Sequence, residues 1–163
     1  MKVLFQVLLF LLFLSSCCGQ SKRKEEIQGN DLLFIISVPG GTRAHIITIN
    51  SNYELCYQVG SYNSDGKLDS IIIKYNTEYE PILNSLSEID VEILKSFYAN
   101  KNQYYLNDTT IIKDAWEYRL YMNGDRIISG NTHNFDDYPD IIKDFIMFIL
   151  YKAGVLYEIP GMS

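Results

Sequence analysis

The sequence predicts an α+β fold, in which an antiparallel sheet of about five to six strands has two main helices packed on it, after an N-terminal signal helix. Three observations lead to this prediction. Four short strand-like runs precede the first amphipathic helical pattern, an Asn-Gly turn joins two further runs, and a second helical pattern lies near the end of the chain. Because the chain has 163 residues, it has room for one ordinary domain, residues 31–163, besides a short leader.

The first half of this domain is expected to contain four strands. The run Leu32–Ile36 is apolar throughout and ends shortly before Pro39–Gly41, as is typical of a strand that leads into a turn. Alternate residues share one face of a strand, so His45, Ile47 and Ile49 are expected to lie together on the second strand. The predicted strands are Asp31–Val38, Thr42–Asn50, Tyr53–Gly60 and Leu68–Tyr75.

A helix is predicted to begin at Ser87, whose hydroxyl suits the N-cap position, with Asp90 in its first turn. One apolar stripe at helical spacing is expected to face the core, and it consists of Val91, Leu94, Phe97 and Tyr98. The following residues, Asn100–Thr110, are expected to form a loop or a short strand.

The clearest local signal is a β-hairpin around Asn123 and Gly124. Residues 116–122 alternate with a period of two, and a second strand-like run, Asp125–Ser129, follows the turn. Both residues of such a turn require positive φ, which Asn and Gly tolerate. The sequence therefore predicts two antiparallel strands that meet at this turn.

The last helix is predicted to be capped by Asp137, to have Pro139 at or near its first turn, and to end at Gly154. Asp140 lies near the positive end of the helix dipole. The helix is apolar on nearly every side, but at about fourteen residues it is too short to span a bilayer. It is therefore expected to be a core helix.

Residues 1–16 have the pattern of a signal peptide. Lys2 provides a positive start, and Val3–Leu14 is an apolar run interrupted only by Gln6. As a helix this run is about 18 Å long, well short of the ~30 Å hydrocarbon core of a bilayer. The next residues, Leu14-Ser15-Ser16-Cys17, resemble the lipobox of bacterial lipoproteins, in which an aliphatic residue and two small residues precede the Cys.

The resemblance to bacterial lipoproteins implies that Cys17 carries a diacylglyceryl group and becomes the first residue of the mature chain. Two or more acyl chains anchor a protein stably in a membrane. In the enteric version of this system an Asp after the Cys favours the inner membrane, whereas Cys18 and Gly19 follow here and favour the outer membrane. The domain could face either the periplasm or the outside of the cell. An ordinary secretory signal that is cut near the same place is the alternative to the lipobox.

Residues 17–30 are polar and unpatterned, so they are expected to form a flexible tether with a root-mean-square reach of about 20 Å. The three cysteines, Cys17, Cys18 and Cys56, have no spacing typical of a zinc site. With Cys17 lipidated, Cys56 has only Cys18 to pair with. A buried thiol on a strand is the favoured interpretation of Cys56.

The charge of the chain argues against nucleic acid as a partner. Removal of residues 1–16 takes away Lys2 and no acidic residue, so the net charge changes from −6 to −7. Nucleic-acid binding requires a basic patch, and the sequence has none. The thirteen tyrosines suit either a half-buried sheet face or a contact surface, because Tyr combines an apolar ring with a polar hydroxyl.

The candidates for chemistry are few, because the chain has only two histidines. His45 lies in a predicted strand and is expected to be structural. His133 lies in a polar loop, where Asp136, Asp137 and Asp140 could supply oxygens to a divalent ion. Helix capping and loop solvation account for the same residues, so we predict no catalytic residue, no metal site and no cofactor. His133, Asp136 and Asp137 are only weak metal candidates.

Two hypotheses of function follow. The first is a lipid-anchored cell-envelope protein with a non-enzymatic protein-binding domain, such as an inhibitor, an immunity protein or an assembly accessory. Its predicted contact region consists of Tyr118, Tyr121, Asn123 and Gly124. The alternative is a small-ligand-binding or hydrolytic domain that uses the loop around His133, and it requires the three nearby Asp side chains to converge in a pocket.

Overall fold

The computed structural model describes residues 32–38, 43–64, 71–110, 112 and 114–156, with the backbone alone for residues 62–64 and 71–74. The predicted signal helix, Cys17, the tether and the turn at Pro39–Gly41 lie outside the described residues. The described residues form one sheet and two α-helices, which confirms the α+β class.

The described part of the chain contains eight strands, more than the sequence predicts. The short strand before the first helix was not predicted. The strands are β1 (Leu32–Ser37), β2 (Ala44–Ile49), β3 (Glu54–Ser64), β4 (Ile71–Tyr75), β5 (Ile82–Ser85), β6 (Leu106–Asn107), β7 (Glu117–Met122) and β8 (Asp125–Asn131).

The strands form one mixed sheet in the order β4-β3-β2-β1-β7-β8-β6, and β5 pairs with β3 next to β4. Paired strands are antiparallel, apart from the short parallel pair of β6 and β8. The first strand of the sequence, β1, therefore lies in the interior of the sheet between β2 and β7.

The first helix, α1 (Glu88–Ala99), begins where the sequence predicts. The Ser87 hydroxyl accepts a hydrogen bond from the Asp90 backbone N–H, and the Asp90 carboxylate accepts one from the Ser87 backbone N–H. This reciprocal capping box satisfies two N–H groups at the start of the helix. The choice of Ser87 as the N-cap is thus confirmed.

The second helix, α2 (Asp140–Ala153), ends as predicted at Gly154, which has a φ of 75° in the left-handed region. The prediction that Asp137 caps this helix is wrong. Asp137 belongs to a short 3-10 helix, Phe135–Asp137, and Pro139 occupies the N-cap position. Pro139 has an extended ψ of 137°, so the helical conformation begins only at the next residue.

Both helices pack on one face of the sheet, which we call the helical face. Alternate residues of the inner strands, such as Phe34 and Leu120, form one core there with Leu94 of α1 and Phe145 of α2. The rings of Phe97 and Phe145 are stacked, with centroids 3.6 Å apart, and join the two helices directly.

The opposite face of the sheet also carries buried apolar side chains. A smaller cluster there consists of Leu33, Ile35, Ala44, Ile46 and Tyr121. All six residues of β1 are consequently buried, and their sequence is nearly continuous in apolar side chains, without the alternation of a half-exposed strand.

The predicted hairpin is confirmed. Asn123 and Gly124 form the two-residue turn between β7 and β8, with φ values of 51° and 84°. The pairing register of β7 and β8 shifts between Leu120 and Tyr121, which marks a bulge near the turn.

Candidate functional site

The aromatic rings predicted to form a contact surface are buried. Tyr118 is 0% exposed in the core of the helical face, and Tyr121 is 3% exposed in the cluster on the opposite face. The predicted exposure of these two rings is wrong, because β7 is an inner strand between β1 and β8, with one face buried and the other buried at Tyr121 and partly buried at Glu117 and Arg119. Asn123 and Gly124 are exposed at the hairpin turn.

The acidic side chains around His133 are not brought together. His133, Asp136 and Asp137 are exposed, and the Asp140 carboxylate forms an ion pair of 2.9 Å with Lys143. Within the described ranges, no group of three or more His, Cys, Asp or Glu side chains is suitable for holding a metal ion. The convergence that the alternative hypothesis requires is therefore not found beside His133.

A polar cluster centred on Asp108 fixes this loop to the sheet. Asp108 directly follows β6, and its Oδ2 accepts hydrogen bonds from the Tyr138 hydroxyl at 2.6 Å, Nδ2 of Asn134 at 3.0 Å and Nδ2 of Asn131 at 3.1 Å. Its Oδ1 accepts a further hydrogen bond of 2.9 Å from the backbone N–H of Thr110. One carboxylate thus joins the end of β6, the end of β8 and the residues before α2.

The hydrogen bonds keep Asp108 ionised. Those from Tyr138 and Asn134 are the main reason that the pKa of Asp108 lies well below its usual range. Burial, together with the hydrogen bond to Asp108, raises the pKa of Tyr138 to about 12. A carboxylate with such a low pKa is a poor proton acceptor near neutral pH, so this arrangement suits a structural anchor better than a general base.

Tyr118 lies beside this cluster and opposite Gly130 in the register of β7 and β8. A Cβ atom at Gly130 would lie 2.7 Å from Cε2 of Tyr118, so the ring requires a glycine at this position. The Tyr118 hydroxyl is buried without a hydrogen bond to any residue that the structure describes. Burial raises the pKa of Tyr118 far above its usual range.

His45 lies in the core of the sheet. Its Nδ1 is 2.8 Å from the Tyr57 hydroxyl, and its ring centroid is 5.3 Å from that of Trp116. The side chain is only 2% exposed. His45 therefore has the surroundings of a packing residue.

Four large apolar side chains are exposed on β5 and α1. Leu83 and Ile89 are the most exposed, at 66% and 75%, and Ile82 and Ile93 are 46% and 41% exposed. We call these four residues the β5–α1 surface. Ile89 and Ile93 are four residues apart, so they share one side of the helix, at the flank of the side that buries Leu94 and Phe97.

The segment that carries the β5–α1 surface is acidic. Residues 76–93 contain five carboxylates and no Lys or Arg. Asp90 is the buried one. The other four are exposed and lie near the apolar residues in the sequence, and they are Glu78, Glu80, Glu88 and Glu92, of which Glu92 is paired with Lys95.

Lys152, in the last turn of α2, holds β5 and α1 together. Its ammonium lies 2.8 Å from Oδ1 of Asp90, and its backbone carbonyl accepts a hydrogen bond of 2.9 Å from Nδ2 of Asn84. Burial raises the pKa of Asp90, but the hydrogen bonds from Lys152 and Ser87 outweigh this effect and leave the pKa below its usual value. The β5–α1 surface is therefore supported by a fixed ion pair behind it.

The predicted fold does not include this surface, although the sequence contains two signals of it. Ile89 and Ile93 lie outside the predicted apolar stripe of the helix, and the run of residues 76–93 lacks a basic side chain. β5 itself has only four residues and follows Pro81, so it has no recognisable strand pattern.

Neither of the described helices has the length and hydropathy needed to cross a bilayer. Cys56 lies half-buried on β3 and forms no disulfide with a described residue. No family model, curated protein or solved structure matches this chain.

Proposed function

We propose that this chain is a cell-envelope lipoprotein, anchored through Cys17, whose α+β domain binds another protein without catalysing a reaction. Such a protein-binding lipoprotein would act as an inhibitor, an immunity protein or an assembly accessory. The pattern Leu14–Cys17 supports the lipid anchor, and the residues after it, Cys18 and Gly19, support the outer membrane.

The β5–α1 surface is the observation that carries the binding function. Several exposed apolar side chains within a short segment, with polar residues beside them, are typical of protein contact sites, whereas isolated ones are common on any surface. The four Ile and Leu side chains fall within residues 82–93, on two elements that are both tied to Lys152. This surface takes the place of the buried Tyr118 and Tyr121 rings as the contact region.

The loop around His133 gives no comparable support to the alternative function. Its Asp side chains point to separate partners or to solvent, and Asp108 beside it already accepts four hydrogen bonds. Because its oxygens are already hydrogen-bonded within the protein, the Asp108 carboxylate stabilises the loop and is poorly placed to bind a substrate.

The test is affinity capture of the full-length lipoprotein from its own cells after chemical crosslinking, with the captured proteins identified by mass spectrometry. We expect one protein in stoichiometric amount, and that protein, once purified, should bind the mature chain directly. Recovery of lipid or glycan alone, with no protein that binds the purified chain, would contradict the proposal. A small ligand would then be the better hypothesis.

A further inference from the structure

β5 lies at an edge of the sheet. One of its edges pairs with residues Glu54–Tyr57 of β3, and no described strand pairs with the other edge. In an antiparallel pair, alternate residues direct their backbone N–H and C=O groups away from the partner strand. β5 therefore has backbone groups on its outer edge that are available for pairing.

This edge lacks the charged side chains that protect many edge strands against pairing. Its remaining protection is its short length of four residues and the preceding Pro81. β5 has the sequence Ile-Leu-Asn-Ser, contains no charged residue, and exposes Ile82 and Leu83 on its two sides. An exposed apolar edge of this kind is suited to accept an additional strand from another protein.

The charge around the edge specifies the class of partner. The exposed carboxylates Glu78 and Glu80 precede β5 and Glu88 follows it, whereas the next carboxylate, Glu92, is paired with Lys95 at 2.8 Å. Opposite charges across an interface speed association and select the partner, while like charges disfavour it. The favoured partner is consequently a basic protein segment.

We propose that β5 pairs along its outer edge with an extended, Lys- or Arg-rich segment of the partner protein. This inference rests on the proposed binding function and specifies where and what the domain binds. Backbone hydrogen bonds to β5 supply affinity, and Leu83 and Ile82 contact alternate side chains of the added strand. The basic side chains of the partner lie against Glu80 and Glu88.

The first test locates the contact in cells. A photo-crosslinking amino acid is placed at Leu83 of the full-length chain and, as the control, at Tyr105. Tyr105 is 64% exposed, nearly as much as Leu83, but it precedes β6 at the other edge of the sheet. We expect the partner to crosslink at Leu83 and not at Tyr105, and the crosslinked peptide to be rich in Lys or Arg.

The second test uses the purified partner and the purified mature chain. Leu83→Asp should weaken binding about tenfold or more, because it places a charged group in the apolar part of the contact. Tyr105→Asp should leave the affinity within about twofold, since it lies outside the contact. The affinity should fall with rising salt, and the backbone amides of residues 82–85 should exchange more slowly in the complex.

The outcomes separate the two proposals. A captured partner that crosslinks at Tyr105 instead of Leu83 would overturn the β5 inference and leave the binding function intact. A crosslink from Leu83 to a second copy of this chain would also overturn it, and sedimentation would then show a dimer. The absence of any crosslinked or captured protein would contradict both proposals.

Discussion

The Tyr138 hydroxyl donates a hydrogen bond of 2.6 Å to Oδ2 of Asp108, which lies thirty residues earlier in the chain. The same hydroxyl oxygen accepts a hydrogen bond of 3.2 Å from the backbone N–H of Asn131. Through these contacts, the residues before α2 are connected to the ends of β6 and β8. Asp108 and Tyr138 thus stabilise a part of the fold that has little regular structure of its own.

The Asp108 carboxylate should make the stability of the domain depend on acid. Its pKa in the folded state lies below its unfolded value, so its stabilising contribution is present above about pH 4 and decreases as the pH falls further. Asp108→Asn should lower the free energy of unfolding by about 1–3 kcal/mol near neutral pH. The difference from the wild type should become smaller toward about pH 3.

Urea unfolding of both proteins at several pH values measures this difference. The exposed Asp136 provides the control, because Asp136→Asn should change stability by less than about 0.5 kcal/mol. If the Asp108→Asn difference stays constant from neutral to acid pH, the charge of Asp108 is not the source of the stabilisation.

The buried tyrosines should make the domain sensitive to alkali. The pKa of Tyr138 is raised to about 12, and that of Tyr118 is raised further. A group with a raised folded pKa stabilises the fold fully below its unfolded value of about 10, and this stabilisation is lost as the pH rises through the folded value. We therefore expect unfolding above about pH 10 to coincide with ionisation of these tyrosines.

Tyrosinate absorbance and circular dichroism, recorded together during an alkaline titration, test this coupling. Tyr138→Phe should reduce the number of tyrosines that ionise only on unfolding. Tyr138→Phe should also lower the free energy of unfolding by about 1–2 kcal/mol near neutral pH, because the Asn131 N–H loses its acceptor. Ionisation of every tyrosine in the still-folded protein would refute the expectation.

Gly130→Ala should be destabilising because the new methyl group meets the ring of Tyr118. The ring is fully buried, so either the ring or the chain must shift, which should lower the free energy of unfolding by about 1–3 kcal/mol. A double-mutant cycle with Tyr118→Val measures this contact in urea unfolding. Gly130→Ala should lower the free energy of unfolding clearly less in the Tyr118→Val background than in the wild type. An equal decrease in both backgrounds would show that the clash with the Tyr118 ring is not the cause.

Cys17→Ala should abolish lipid attachment. In cells supplied with a labelled fatty acid, the wild-type chain should carry the label and sediment with the envelope fraction, because two acyl chains are needed for a stable anchor. Cys18→Ala, the matched control, should keep both properties. Label on the Cys17→Ala chain would show that the lipobox has been assigned to the wrong cysteine.

Local chemistry accounts for the parts of the fold that the sequence predicts well. Ser87 caps a helix through its own hydroxyl, Gly154 ends one through its positive φ, and Asn123 and Gly124 form a turn that few other pairs allow. Each of these features depends on residues that are close together in the chain. They are therefore visible in a short stretch of sequence.

The errors arise where distant parts of the chain decide the structure. Alternation over residues 116–122 suggests one exposed face, but β7 pairs with β1, which is some eighty-five residues away, and that face is buried at Tyr121 and partly buried elsewhere. Three of the four hydrogen bonds that Asp108 accepts come from residues 23–30 positions later, so its role in joining these elements has no local pattern. β5 exists because β3 is long enough to pair with two strands along one edge.

The interior position of β1 has a mechanical consequence for an anchored protein. β1 pairs with β2 and with β7 over six residue positions on each side, and it begins at the end of the chain that leads to the tether. A pull on the tether therefore acts along β1 and shears its pairing with β2 and with β7. The backbone hydrogen bonds of both pairs then resist the force together instead of breaking one at a time. In the lipoprotein that we propose, the domain is attached to its membrane through a strand well placed to carry tension.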